Sequence, residues 1–280
     1  MTTERRLGQA AKVIQEAEAL LITAGAGMGV DSGLPDFRGS EGLWRAYPAL
    51  GRARMDFQTI ASPANFKSNP RLAWGFYGHR LQLYRSTTPH AGFELLRQWG
   101  ESKPGGYFVF TSNVDGQFQK AGFDPRRIEE CHGSIHHVQC SANCCENIWP
   151  ADDIEPSNID PGQCLWNGPL PLCPNCGAVL RPNILMFDDW RWNPLRQSLQ
   201  RKRRDEWLMQ SKGRRIAVIE LGAGTAIPSV RRFGMTVASQ SSQHLIRVNP
   251  REIEMEGPRI IGIPLPALPA LGHLSHITMR

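Results

Sequence analysis

The sequence predicts an α/β fold: a doubly wound parallel sheet carrying a small inserted metal-binding module and a helical flap. Three observations point there. Four short apolar runs, at 19–23, 107–111, 215–221 and 245–249, have the length and the β-branched or aromatic content of strands buried on both faces. Stretches of helical periodicity separate them, which is the alternation of βαβ units. Between 137 and 182 the pattern breaks: prolines multiply, helical periodicity fades, and six of the seven cysteines fall there. A chain of 280 residues can bury one large core and still carry such an insertion. The expected division is 1–136 and 183–280 for the sheet domain, with 39–90 as a helical flap, and 137–182 for the module.

Taken in order, residues 7–19 place Leu7, Ala10, Ala11, Val13, Ile14 and Ala17 on one helical stripe that feeds the first strand, Ala19-Leu20-Leu21-Ile22-Thr23. That strand ends in Ala24-Gly25-Ala26-Gly27-Met28-Gly29. Glycines there let backbone amides approach a diphosphate near a helix N-terminus; alone, such a turn is equally a tight corner. The second strand, 107–111, passes into Ser112-Asn113-Val114-Asp115-Gly116, and the later two end in Gly222-Ala223-Gly224-Thr225 and in Asn249. Ligands of doubly wound sheets lie beyond the carboxyl ends of the strands, so these residues are the first candidates for a site. The tail, GIPLPALPALGHL at 262–274, is expected to pack as an irregular apolar strap.

Hydrophobic residues at 41% and charged residues at 21% are ordinary for a globular chain. No stretch reaches the roughly 18 consecutive apolar residues of a membrane span. The N-terminus runs from a charged helix into a strand with no apolar signal core, so a soluble, cytoplasmic protein is expected. The net charge of +6 is concentrated: nine Lys and Arg between 191 and 215 face only Asp205 and Glu206. No aromatic residues alternate with those charges as stacking platforms would, which favours a solvated helix face over a nucleic-acid surface. A docking surface for acidic partners is the other reading.

The cysteines form two knuckles, Cys140-x3-Cys144 and Cys173-x2-Cys176. Paired thiolates at such spacing can wrap one tetrahedral Zn²⁺, and four protein ligands leave no open position for catalysis, so the metal is expected to be structural. Cys145 is an alternative to Cys144. Cys131 and Cys164 are assigned to packing.

The stretch Gly25-Ala26-Gly27-Met28-Gly29-Val30-Asp31-Ser32-Gly33-Leu34-Pro35-Asp36-Phe37-Arg38-Gly39 resembles the sirtuin signature GAGxSxxSGIPDFRG. Further blocks follow in that family's order. Thr111 to Asp115 is similar to TQNID, Cys131-His132-Gly133-Ser134 to the HG motif, and 177–189 to CGGxLRPxVVxFGE. Gly222 to Thr225 and Val248-Asn249 stand where the family has GTS and IN. The resemblance implies a Rossmann-like NAD domain with a zinc module, and NAD-dependent removal of acyl groups from protein lysines.

It also implies roles. Gly25, Ala26, Gly27, Asp36, Phe37, Arg38, Ser112, Gly222, Ala223 and Asn249 would bind NAD, with Phe37 shielding the reacting sugar. Asn113 would touch the nicotinamide ribose and help place water, and Asp115 would hold the carboxamide. His132 is the expected general base, a task suited to a group with an unperturbed pKa of about 6.5. Met186 and Phe187 belong to the strand that pairs with the substrate backbone, a mode that gives loose sequence specificity. In the mechanism so implied, the acyl oxygen attacks the ribose as nicotinamide leaves. His132 then deprotonates a ribose hydroxyl and the acyl group migrates, giving free lysine, nicotinamide and O-acyl-ADP-ribose.

Tyr77 and Arg80, at i and i+3 of a helix, match the Tyr-x-x-Arg pair of the succinyl- and malonyl-removing branch, where an arginine fork suits an acyl carboxylate; an amphipathic helix with an aromatic stripe accounts for them equally. Three departures stand out: Gly29 replaces Ser, Ser112 replaces Gln, and Asp188 replaces Gly before the acidic Asp189. They motivate a rival expectation, ADP-ribosyl transfer or NAD hydrolysis at the same site; a third reading, a non-catalytic NAD-sensing zinc protein, is opposed by the retention of His132, Asn113 and Asp115 together. Acylated lysines of proteins are the expected partners.

Overall fold

The computed structural model describes residues 2–35, 39–156, 159–239, 243–253, 257 and 259–278. Helix α1 (Thr3–Glu16) begins where the Thr2 hydroxyl accepts the Arg5 N–H, and it buries Leu7, Ala10, Ala11 and Ile14. It hands the chain to β1 (Ala19–Ala24), buried at every position. Five flap helices follow: α2 (Gly39–Ala46), α3 (Pro48–Arg52), α4 (Phe57–Ile60), α5 (Asn65–Ser68) and the long α6 (Pro70–Ser86). The chain returns through α7 (Ala91–Glu101) to β2 (Tyr107–Thr111), α8 (Gln117–Lys120) and β3 (Ile128–Glu130).

The insertion then opens with β4 (Gly133–Cys140), β5 (Ile148–Pro150), β6 (Ile159–Asp160) and β7 (Leu165–Trp166), and closes with β8 (Leu180–Ile184). Beyond it lie α9 (Leu195–Gln210), β9 (Ile216–Leu221), α10 (Ser229–Ala238), β10 (His244–Val248), β11 (Ile260–Ile263) and α11 (Ala267–Thr278). The main sheet is parallel throughout, in the order β11-β10-β9-β1-β2-β3. Strand order reverses between β1 and β9, so the loops leaving those two neighbours part to opposite faces and open a crevice at their carboxyl ends.

One face of the sheet packs Leu20, Ile22, Val109 and Ile219 against α1, α7 and α11. The other packs Leu21, Phe108 and Val218 against Trp207 of α9 and Val237 of α10. A separate core joins the flap to the insertion. Trp74, Phe76 and Tyr77 of α6 meet Val138 and Cys140 of β4, Trp166 of β7 and Ile184 of β8. Each such side chain taken from water contributes about 1.5–3 kcal/mol. Helix α6 crosses the insertion at Gly75, where a Cβ would stand 2.0 Å from the Cys164 carbonyl oxygen. Among the described residues no helix is long and apolar enough to cross a membrane.

Two expectations are corrected. The Pro-rich tail forms β11 and α11; Pro269 falls in the first turn, where its missing N–H has no partner to lose, and Ala270, Leu271 and Leu274 are buried. The basic segment is α9, and its charges are only partly solvated. Arg204 and Arg196 turn inward onto the buried carboxylates of Glu129 and Glu130 on β3, and Gln197 donates to Glu129. Burial of two carboxylates on an edge strand requires that compensation.

Candidate active site

At the crevice the turns after β1 and β9 interlock. Gly25 N–H donates to the Leu221 carbonyl at 3.0 Å and Gly27 N–H to the Gly222 carbonyl at 3.0 Å. A Cβ on Gly27 would lie 2.7 Å from the Gly222 Cα, and Gly222 itself has φ +59°. Only glycine permits two main chains to close to that distance. Gly25, Ala26, Gly222, Ala223 and Gly224 front a cavity of about 780 Å³, within the range of cofactor-sized pockets.

Two residues expected to touch the ligand sit one layer behind. Gly27 packs against Gly222 behind the turn. Asn249 is fully buried, donates to the Ala223 carbonyl at 3.0 Å, and accepts from the N–H groups of Arg251 and Glu252. Neither lines the cavity; both hold the backbone that does. Asp36, Phe37 and Arg38 lie outside the described residues.

The loop after β2 supplies the next wall, with Ser112, Asn113 and Asp115 all on the cavity. Asn113 donates to the Gly25 carbonyl at 3.0 Å and its own N–H is held by Thr111 Oγ1. Asp115 is buried, with Oδ1 accepting the Gln117 N–H at 2.9 Å. Burial pushes its carboxyl up to about 6 although that N–H favours the ionised form, and the Glu130 carboxylate adds to the rise.

His132 stands where β3 turns into β4. Gly133 makes that turn possible, with φ +81° and the Asn183 carbonyl oxygen 2.0 Å from where a Cβ would be. The imidazole is half-buried, which lowers its pKa below the ordinary histidine value, so it is neutral near pH 7. Its Nε2 lies 3.3 Å from Ser229 Oγ.

Met186 and Phe187 close the far side. Phe187 is pinned to the flap, its N–H on the Ala61 carbonyl at 3.0 Å and its ring edge-on to Phe57. At the flap end Arg80 is buried under three aromatic rings and donates from Nε and Nη2 to Tyr84 Oη at 3.0 and 2.7 Å. Tyr77 and Tyr84 share that part of the wall, and burial pushes the Tyr77 phenol up to about 12, so it stays a neutral hydroxyl.

In the insertion the Sγ atoms of Cys140, Cys144, Cys173 and Cys176 all lie within 4.8 Å of one another. Cys140 to Cys176 is 3.6 Å and Cys144 to Cys173 is 3.5 Å. A tetrahedron of sulfurs at about 2.3 Å from zinc has edges of about 3.8 Å, so the donor set and its spacing fit Zn²⁺. Cys144, not Cys145, completes it. Cys164 is buried in the flap core, as expected of a packing residue.

The Sir2 family model matches residues 25–210. An NAD-dependent protein deacylase of Aeropyrum pernix is 30% identical over 251 residues, covering 89% of this chain and 88% of that one. A protein of the same description from Daphnia pulex is 33% identical over 193 residues, 64% of this chain and just under two thirds, 66%, of its own length. The chain belongs to the Sir2 family. A solved Sir2 enzyme superposes on this sirtuin with a TM-score of 0.72 at 24% identity, over 99% of both chains. Sir2Tm bound to a propionylated peptide gives 0.68 at 21%, over 100% of both, and both likenesses concern the fold.

Two of the sirtuin's three departures, Asp188 and Gly29, acquire local explanations. Asp188 sits at φ +55°, the left-handed region in which glycine is at ease, and Asp is among the few side chains that tolerate it. The Asp189 side chain is fully buried in a two-pronged pair with Arg181, at 2.6 and 2.9 Å. Gly29 leaves room for Leu34, whose Cδ1 would be 3.1 Å from a Cβ there. Sequence reasoning missed the flap's share of the cavity: Asp56, Phe57, Gln58 and Ala61 carry no motif. Tyr84 had a signal, its i+4 spacing from Arg80.

Proposed function

We propose that this chain is an NAD-dependent protein-lysine deacylase with structural zinc, and that His132 is its general base. The observation that carries the reading is one continuous cavity. The Gly25-Ala26 turn and the Asn113–Asp115 loop lie on it, Met186 and Phe187 close its far side, and a neutral His132 stands in its wall. The name shared by the Aeropyrum and Daphnia relatives supports it, as does the peptide complex of Sir2Tm.

NAD, bound in the crevice, supplies an electrophilic ribose carbon with nicotinamide as the leaving group. The interlocked glycine turns would hold the diphosphate against the Ala26 and Ala223 backbone, Asn113 would meet the nicotinamide ribose, and Asp115 would take the carboxamide N–H groups. These residues would act by positioning and by electrostatics. His132 Nε2 would accept the proton of a ribose hydroxyl, exchanging its Ser229 partner for substrate; that oxygen would bond to the acyl carbon, and water would complete the cleavage of the acyl–nitrogen bond, so that lysine departs as the free amine and the acyl group stays on the sugar as O-acyl-ADP-ribose. Strand β8 and the residues after it receive the peptide backbone.

The Tyr77, Arg80 and Tyr84 end of the cavity favours an acyl chain that ends in a carboxylate, succinyl or malonyl, over acetyl. Incubation of the protein with NAD and acetyl-, succinyl- or unmodified lysine peptides, followed by mass spectrometry and nicotinamide quantification, tests both points. Loss of the acyl mass coupled to nicotinamide is expected, with succinyl fastest. Nicotinamide release that needs no peptide defeats the deacylase reading in favour of hydrolysis or ADP-ribosyl transfer. His132→Ala is expected to bind NAD and lose deacylation by at least about 100-fold; full activity in that variant removes His132 from the role.

A further inference from the structure

We infer that a second cavity beside His132 is a selectivity pocket for an acidic residue flanking the acylated lysine, with glutamate the side chain that fits it. The inference rests on the deacylase reading and names a substrate class for it. The cavity, about 340 Å³, shares His132 and Leu185 with the larger one. A lysine whose acyl group reaches His132 therefore carries a neighbouring residue of its peptide past this second opening.

The floor is aromatic: Phe110 and Phe233 stack with centroids 4.2 Å apart. Arg204 lies over Phe233 at 4.7 Å, with its guanidinium committed to the buried Glu129 and to Asp205. Arg201 differs. Its side chain is 57% exposed and approaches Glu129 only at 3.8 Å, beyond hydrogen-bond length. Glu129 also lines the pocket, but its side chain is 1% exposed and its two carboxylate oxygens are taken by Gln197 and Arg204, which leaves Arg201 as the exposed charged side chain at the mouth, with the exposed Lys202 beside it on α9. A glutamate would lay its two methylenes on the stacked rings and meet Arg201 with its carboxylate. A lysine at the same place would meet like charge.

One acyl-lysine peptide with glutamine flanks, and four versions carrying Glu at −2, −1, +1 or +2, would be compared by kcat/KM on wild type, Arg201→Gln and Arg201→Glu. One position is expected to favour Glu over Gln by about two- to fivefold in wild type, the effect of a partly exposed ion pair. The preference disappears in Arg201→Gln and turns against Glu in Arg201→Glu. Because each ratio is taken within one protein, a change in folded fraction cancels. Indifference to Glu at all four positions, or a preference that survives Arg201→Glu, overturns the inference and leaves the deacylase reading standing; if no peptide loses its acyl group, both fall.

Discussion

The sheet and the flap–insertion region place the two halves of one cavity by different means. Around the sheet the decisive contacts are between main chains: β1 and β9 pair along their length, and their exit turns close to glycine-only distance at Gly27 and Gly222. In the flap–insertion region the strands are short, and aromatic packing, the buried Arg181–Asp189 pair and four thiols take over. A backbone-built wall keeps its shape with whatever side chains fill the core, while a wall built of side chains and a metal keeps it only while those groups are in place.

The sharpest break in that comparison comes from removing the metal. Chelation, or Cys140→Ser, is expected to strip the insertion of roughly 10 kcal/mol of metal-linked folding energy. Tryptophan fluorescence would report loosening around Trp74 and Trp166 while the sheet's Trp207 stays protected, and deacylation would vanish. Cys145→Ser should leave zinc content and fluorescence unchanged. A flap core that stays ordered without zinc would erase the contrast.

Next in size are two glycines. Gly27→Ala and Gly75→Ala each force a Cβ into backbone, 2.7 Å from Gly222 Cα and 2.0 Å from the Cys164 oxygen, and each should cost at least about 3 kcal/mol. Thermal melts would fall by about 6–12 °C. They separate on titration with NAD: the folded fraction of Gly27→Ala should bind it poorly and that of Gly75→Ala normally.

Asp115 gives a smaller, pH-dependent effect. Its folded pKa is raised to about 6 from an unfolded value near 3.9. The native state therefore holds this proton more tightly than the unfolded chain does. Its contribution is fully present below about pH 4 and is lost as pH rises through 6, an effect of about 2–3 kcal/mol. Asp115→Asn, which keeps an oxygen for the Gln117 N–H, should be more stable than wild type in urea at pH 8, with no such gain at pH 4, and should bind nicotinamide less well. An equal stability difference at both pH values would mean that burial does not govern this carboxyl. The smallest effect belongs to Asp188→Gly, which relieves a left-handed backbone at φ +55° and should stabilise by about 0.5–1 kcal/mol.

Much of this was legible because it is local. The buried strands announce themselves by apolar runs, and the Gly25–Gly29 turn, the Asn113-Val114-Asp115 loop, the Cys131-His132-Gly133 bend and the cysteine knuckles are contiguous in sequence. The tail misled because Pro264, Pro266 and Pro269 read as helix breakers, whereas the helix starts between the last two, where proline is tolerated. The basic run misled because a charge count cannot see that Glu129 and Glu130 are buried beneath it.

The sequence by itself determined the period of each segment, the family motifs and their order, since those depend on side chains near one another along the chain. Only the tertiary structure decided which of them touch. It set Gly27 and Asn249 behind the cavity wall and chose Cys144 over Cys145. It also brought Tyr77, Arg80 and Tyr84 of the flap into the same cavity as His132. Those outcomes depend on how strands and helices distant in sequence pack, and close packing leaves each side chain one place to go.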